Sequence, residues 1–85
     1  MKQFDFLVKS PVGIHARPAM MLAQKAGTYQ SRISIIKKGH SANVKNIVSL
    51  LGLHIQQGEE ITFAIEGDDE ERAVKELKQF CQQNL

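Results

Sequence analysis

Seven residues, Gly13-Ile14-His15-Ala16-Arg17-Pro18-Ala19, gather the side chains best suited to covalent chemistry in this chain. His15 stands one residue before a helix predicted over Ala16–Ala26, and Arg17 follows two positions later. The first N–H groups of a helix have no intrahelical acceptor, and they present partial positive charge beyond its end. An anion placed there is held by several donors at once, so the spacing points to phosphate. Arg17 adds a planar, permanently charged fork that matches phosphate oxygens. Positive charge disfavours imidazolium, and neutral imidazole is the form that attacks phosphorus. Alone, a histidine at such a place reads as an ordinary cap or turn residue; the arginine beside it shifts the reading to chemistry. Gly13 permits a backbone bend before the helix, and Pro18 suits a first turn, where a missing N–H costs nothing.

The elements that must position this stretch follow from periodicity. Phe4, Phe6 and Val8 alternate with polar residues, giving a strand over residues 2–9. Ala19, Leu22, Ala23 and Ala26 share one face of the first helix, which Gly27 terminates. Arg32–Lys37 and His40–Val44 form two strands joined by a tight turn at Lys38-Gly39. A short helix spans Ile47–Leu53, with Asn46 a good N-cap, and a fourth strand spans Glu60–Glu66. The last helix opens at Asp68-Asp69-Glu70-Glu71, with a capping box expected between Asp68 and Glu71. It buries Ala73, Val74, Leu77, Phe80 and Cys81. The order β-α-β-β-α-β-α, in one domain over residues 1–85, leaves a single sheet to carry all the helices on one face.

Bulk properties narrow the function. A hydrophobic content of 42% supports a packed core rather than a disordered chain. The net charge of +2 comes from dispersed lysines and arginines, which argues against nucleic acid as the main partner. No apolar run is long enough to span a bilayer, and the N-terminal residues do not form a signal peptide, so a cytoplasmic location is expected. Cys81, the one cysteine, reads as a small buried hydrophobe. No Cys/His cluster has metal-ligand spacing, and neither a metal nor a cofactor is expected. His40 and His54 are given no catalytic or metal-binding role.

Some apolar residues do not belong to the core. Met21 falls nearly opposite the buried stripe of the first helix, and Met20 and Gln24 lie on its flank. The second helix has more apolar residues than one buried stripe needs, leaving Ile47, Val48 and Leu51 partly outside. Exposed apolar patches rich in methionine suit a surface that meets several partners.

The motif around His15, together with Ser41-Ala42-Asn43-Val44-Lys45-Asn46-Ile47, Gly58 and Ile61–Gly67, resembles the histidine-containing phosphocarrier (HPr) family of the bacterial phosphoenolpyruvate-dependent sugar phosphotransferase system. The resemblance spans nearly the whole chain. It implies an α/β (α+β) open-faced sandwich with a four-stranded antiparallel sheet and three helices on one face. It further implies a phosphohistidine carrier rather than a free-standing enzyme. His15 would be phosphorylated on Nδ1, receiving the group from enzyme I and passing it to IIA domains of sugar permeases. Ala16 and Arg17 would bind the phosphate. Met20, Met21, Gln24, Ile47, Val48 and Leu51 would meet the partners, and the carrier would work as a monomer. Relatives with a regulatory serine carry it where this chain has Asn46, so that control is not expected here. His54 stands where the family usually has glycine, and Val12 where it is more often polar. A paralogue with regulatory or nitrogen-related partners would share this chemistry. A small RNA-binding sandwich would need exposed aromatic residues and a basic face that the chain lacks.

Overall fold

The computed structural model describes residues 1–85. Its elements run β1 (Lys2–Leu7), α1 (Ala16–Ala26), β2 (Arg32–Lys37), β3 (His40–Asn43), α2 (Ile47–Leu51), β4 (Glu60–Glu66) and α3 (Glu70–Asn84). The strands form one antiparallel sheet in the order β1-β4-β2-β3. β4 is thus an inner strand, which is why Ile61, Phe63 and Ile65 are fully buried. Phe63 lies opposite Phe4 on one side and Ile35 on the other. The Phe4 and Phe63 rings stack with centroids 4.8 Å apart, a cross-strand pair that ties the edge strand to the centre.

The period-two side of this sheet meets three helices, as expected. Ala19, Leu22 and Ala26 come from α1, Leu50 from α2, and Ala73, Leu77 and Cys81 from α3, all buried. Each fully buried leucine, isoleucine or phenylalanine contributes roughly 1.5–3 kcal/mol from transfer out of water. The small alanines let the helices approach closely. Burial pushes the Cys81 thiol up to about 12, so it stays protonated and acts as a hydrophobe. Val74 and Phe80 are only partly buried against this core, rather than inside it.

Several element ends differ from the periodicity reading. β1 stops at Leu7, although Val8 still donates its N–H to Glu59 O at 3.0 Å. β3 ends at Asn43, one residue early, because the Asn43 side chain accepts the Lys45 N–H and begins a turn. α2 ends at Leu51, since the Leu53 and His54 N–H groups bond to carbonyls three residues back. The turn at Lys38-Gly39 has positive φ at both residues, 49° and 82°, matching the twist of the hairpin.

The capping box between Asp68 and Glu71 does not form. Asp69 is the N-cap of α3, and Glu70 reaches back to accept the Gly67 N–H at 3.1 Å. The Asp69 carboxylate instead accepts bonds from the Gln30 N–H (2.8 Å), the Ser31 N–H (2.9 Å) and the Ser31 hydroxyl. A contact across 38 residues outcompetes the local cap because it satisfies the otherwise unpaired donors of the turn before β2.

Those donors, the Ser31 hydroxyl first, lower the Asp69 carboxyl to about 2. A folded-state value below the unfolded one stabilises the protein above the unfolded value, and that contribution is lost as pH falls through the folded one. Urea midpoints are therefore expected to drop as pH is lowered from about 4 to about 2. Asp69→Ala is expected to be less stable near neutral pH and to show a smaller drop across that window.

Candidate functional site

His15 is the N-cap of α1, with extended backbone (φ −86°, ψ −173°). Its carbonyl accepts the Ala19 N–H at 2.9 Å, while its imidazole makes no capping hydrogen bond. The ring is therefore exposed and uncommitted. The Ala16 and Arg17 N–H groups donate to no protein acceptor, and Pro18 has no N–H to offer. The first turn of α1 contains no acidic residue to compete for these donors. Arg17 is exposed beside them and forms no ion pair. A nucleophilic ring, two free N–H donors and a free guanidinium thus share one helix end.

The loop before His15 is held by backbone contact. Gly13 has φ +63° and donates its N–H to Ser10 O at 3.0 Å. The Ile14 N–H bonds to Ile55 O at 3.0 Å. A Cβ on Gly13 would lie 2.4 Å from that same Ile55 O and 2.8 Å from Gln56 Cα. Glycine is needed here for both φ and space. The Ile14 side chain anchors the loop in the core.

The opposing segment is clamped in turn. Lys37 Nζ donates to Leu53 O and His54 O, each at 2.9 Å, and pairs with Glu59 at 3.0 Å. The other Glu59 oxygen meets Lys38 Nζ at 3.4 Å. Glu59 also accepts the Gln56 N–H at 2.8 Å. The Lys37 ammonium and then this N–H hold the Glu59 carboxyl below the usual carboxylate range.

Between the two segments lies an open hollow of about 360 Å³, bordered by Val12, His15, Ala16, Leu51, His54 and Gln56 among others. A larger depression of about 670 Å³ lies between the β2–β3 hairpin and α2 and does not include His15. It also lacks the free N–H donors at the start of α1. No group of three or more His, Cys, Asp or Glu is placed to hold a metal ion.

The structure brings His15, Ala16 and Arg17 together at the start of α1. Met20, Met21, Gln24 and Val48 are exposed, with Val48 the most open of the three apolar residues at 76%. Ile47 and Leu51 are half-buried and pack on the core, so they offer only part of their area. Asn46 caps α2, its side-chain oxygen accepting the Val48 and Ser49 N–H groups at 3.1 and 3.2 Å. Sequence reasoning missed Val12, an exposed apolar residue beside His15, and the neighbours His54 and Gln56. No local signal places the segment between Leu51 and Gly58 against His15, because the approach is made by the long-range bond from the Ile14 N–H to Ile55 O.

The family model described as "PTS HPr component phosphorylation site" matches residues 2–83. The phosphocarrier protein HPr of Mycoplasma genitalium is 39% identical over 85 residues, which cover 99% of this chain and 97% of that protein. Among solved structures, HPr-C-His from Thermoanaerobacter tengcongensis is similar at 34% identity with a TM-score of 0.94, covering 99% of this chain and 94% of that one. An HPr dimer from the same organism is 35% identical with a TM-score of 0.77, covering 98% and 95%.

The loop geometry yields a direct test. Gly13→Ala is expected to destabilise the fold by about 2–4 kcal/mol, combining the positive φ with the overlap at Ile55 O. Urea unfolding measures this, and a variant as stable as the parent would contradict the close approach of the two segments.

Proposed function

The chain belongs to the HPr family of phosphocarrier proteins of the phosphotransferase system, and from that premise we propose that His15 is the residue that carries the phosphoryl group. The observation that carries the reading is an uncommitted imidazole at the N-cap of α1, beside two unpartnered N–H groups and Arg17. Neutral His15 attacks the phosphorus of a phosphohistidine on the donor. The P–N bond on the donor breaks as the new P–N bond forms, and the electron pair returns to the donor ring. By analogy with the family, the new bond forms on Nδ1.

The Ala16 and Arg17 N–H groups donate to phosphoryl oxygens, and the Arg17 guanidinium balances their charge. Such transfers rely mainly on positioning and electrostatics, so a small exposed site is sufficient. The donor is enzyme I and the acceptors are IIA domains of sugar permeases. Both dock over the helix surface around His15 formed by Met20, Met21, Gln24, Ile47, Val48 and Leu51. A carrier must leave each partner quickly, which calls for a small interface. The same reading places the protein in the cytoplasm as a monomer. No helix is long and apolar enough to cross a membrane. Position 46 has no hydroxyl to phosphorylate, so serine-type control at that site is absent from the proposal.

Incubation with phosphoenolpyruvate, Mg²⁺ and enzyme I is expected to place one acid-labile phosphate on the protein, and none on His15→Ala. Arg17→Lys keeps the charge but loses the fork, and is expected to slow transfer by about tenfold or more. An unlabelled parent protein would reject the carrier reading. Undiminished transfer by Arg17→Lys would reject only the role given to the guanidinium.

A further inference from the structure

We infer that the His54 imidazole is a second side-chain donor to the phosphoryl group on His15, acting across the hollow that both residues border. The inference rests on His15 as the phosphorylated residue. Three observations support it. First, His54 and His15 line the same hollow, and the His54 ring makes no hydrogen bond within the protein. Second, His54 has φ +51°, in the left-handed region that disfavours a side chain with Cβ. The other non-glycine residue with positive φ is Lys38, whose place in a two-residue hairpin turn calls for it. His54 instead follows the closing turn of α2, where a left-handed residue commonly ends a helix and is usually glycine, so a side chain there carries a backbone cost that glycine would avoid.

Third, that strained backbone is held from several sides. The His54 N–H bonds to Leu51 O at 3.1 Å, and Lys37 Nζ grips the carbonyls of Leu53 and His54. The imidazole is therefore presented from a fixed base. An N–H of the ring can donate to a phosphoryl oxygen whether the ring is neutral or charged. A phosphoryl group on nitrogen has three acceptor oxygens, more than the two free N–H groups of α1 saturate. With two histidines and no third ligand, the same pair does not form a metal site.

The test separates this role from a structural one. The parent protein, His54→Gly, His54→Leu and His54→Gln are phosphorylated with enzyme I and Mg²⁺ at one fixed ratio of phosphoenolpyruvate to pyruvate. The phosphorylated fraction at equilibrium and the ³¹P resonance are then recorded. The Gly and Leu variants are expected to show a phosphorylation equilibrium about three- to tenfold weaker, with a shifted resonance. Gln retains an N–H donor and is expected to recover part of the loss. His54→Gly relieves the backbone strain, so its urea midpoint should rise while its hold on the phosphoryl group falls. A structural role would move those two quantities together. If the Gly and Leu variants match the parent in both readouts, the inference is overturned while the carrier reading stands. If the parent takes up no phosphoryl group, both readings fall.

Discussion

Everything at the His15 end depends on two backbones meeting with no side chain between them. Ile14 donates its N–H to Ile55 O, and Gly13 fits against the same carbonyl only because it has no Cβ. This contact fixes where the chain turns into α1, and therefore where the imidazole and the first helical N–H groups sit. A hydrogen bond of this kind contributes only about 1 kcal/mol to stability. Its larger consequence is geometric, because displacement of a reacting atom by about an ångström can cost two orders of magnitude in rate.

The site combines a rigid base with an open top. Beneath it, the Lys37 ammonium joins β2 to the Leu53–His54 carbonyls and to Glu59, which in turn holds the Gln56 N–H. Above it, His15, Ala16 and Arg17 are exposed. Burying the Ala16 and Arg17 N–H donors would strengthen any bond they make but would also close them off from a second protein. In the proposed role, exposure keeps the hold on the phosphoryl group modest and reversible. That balance suits a carrier whose phosphoryl donor and phosphoryl acceptor must both reach the same atoms.

Much of this was legible in the sequence, for reasons visible in particular residues. The alternation of Ile61, Phe63 and Ile65 identified an inner-face strand, and the spacing of Ala19, Leu22 and Ala26 identified the buried stripe of α1. Asn46 capped α2 as its type suggested, because that bond is made two and three residues away. The failures were long-range. Asp68 and Glu71 had the spacing of a capping box, yet Asp69 took the cap position and turned its carboxylate to Gln30 and Ser31. Nothing local to Lys37 or Glu59 announced that they would meet beneath residues 53–56. The residue type of His54 alone carries no address, and its left-handed backbone appears only once the turn is built.

The two helix starts near the exposed surface illustrate how one physical device is put to opposite uses. Both α1 and α2 present first-turn N–H groups that need an acceptor. In α2 the Asn46 side chain supplies it, accepting from Val48 and Ser49, so two of its first-turn donors are already satisfied. In α1 the N-cap is His15, whose ring does not turn back, and the Ala16 and Arg17 N–H groups remain unpartnered. Asparagine at a cap typically stabilises a helix by about 1 kcal/mol relative to alanine. α1 forgoes that local gain at His15 and relies on its buried Ala19, Leu22 and Ala26 for stability. In the proposed role, an incoming phosphoryl group satisfies donors that the chain itself leaves free, so the interaction missing from the unmodified fold is the one its modified form would make.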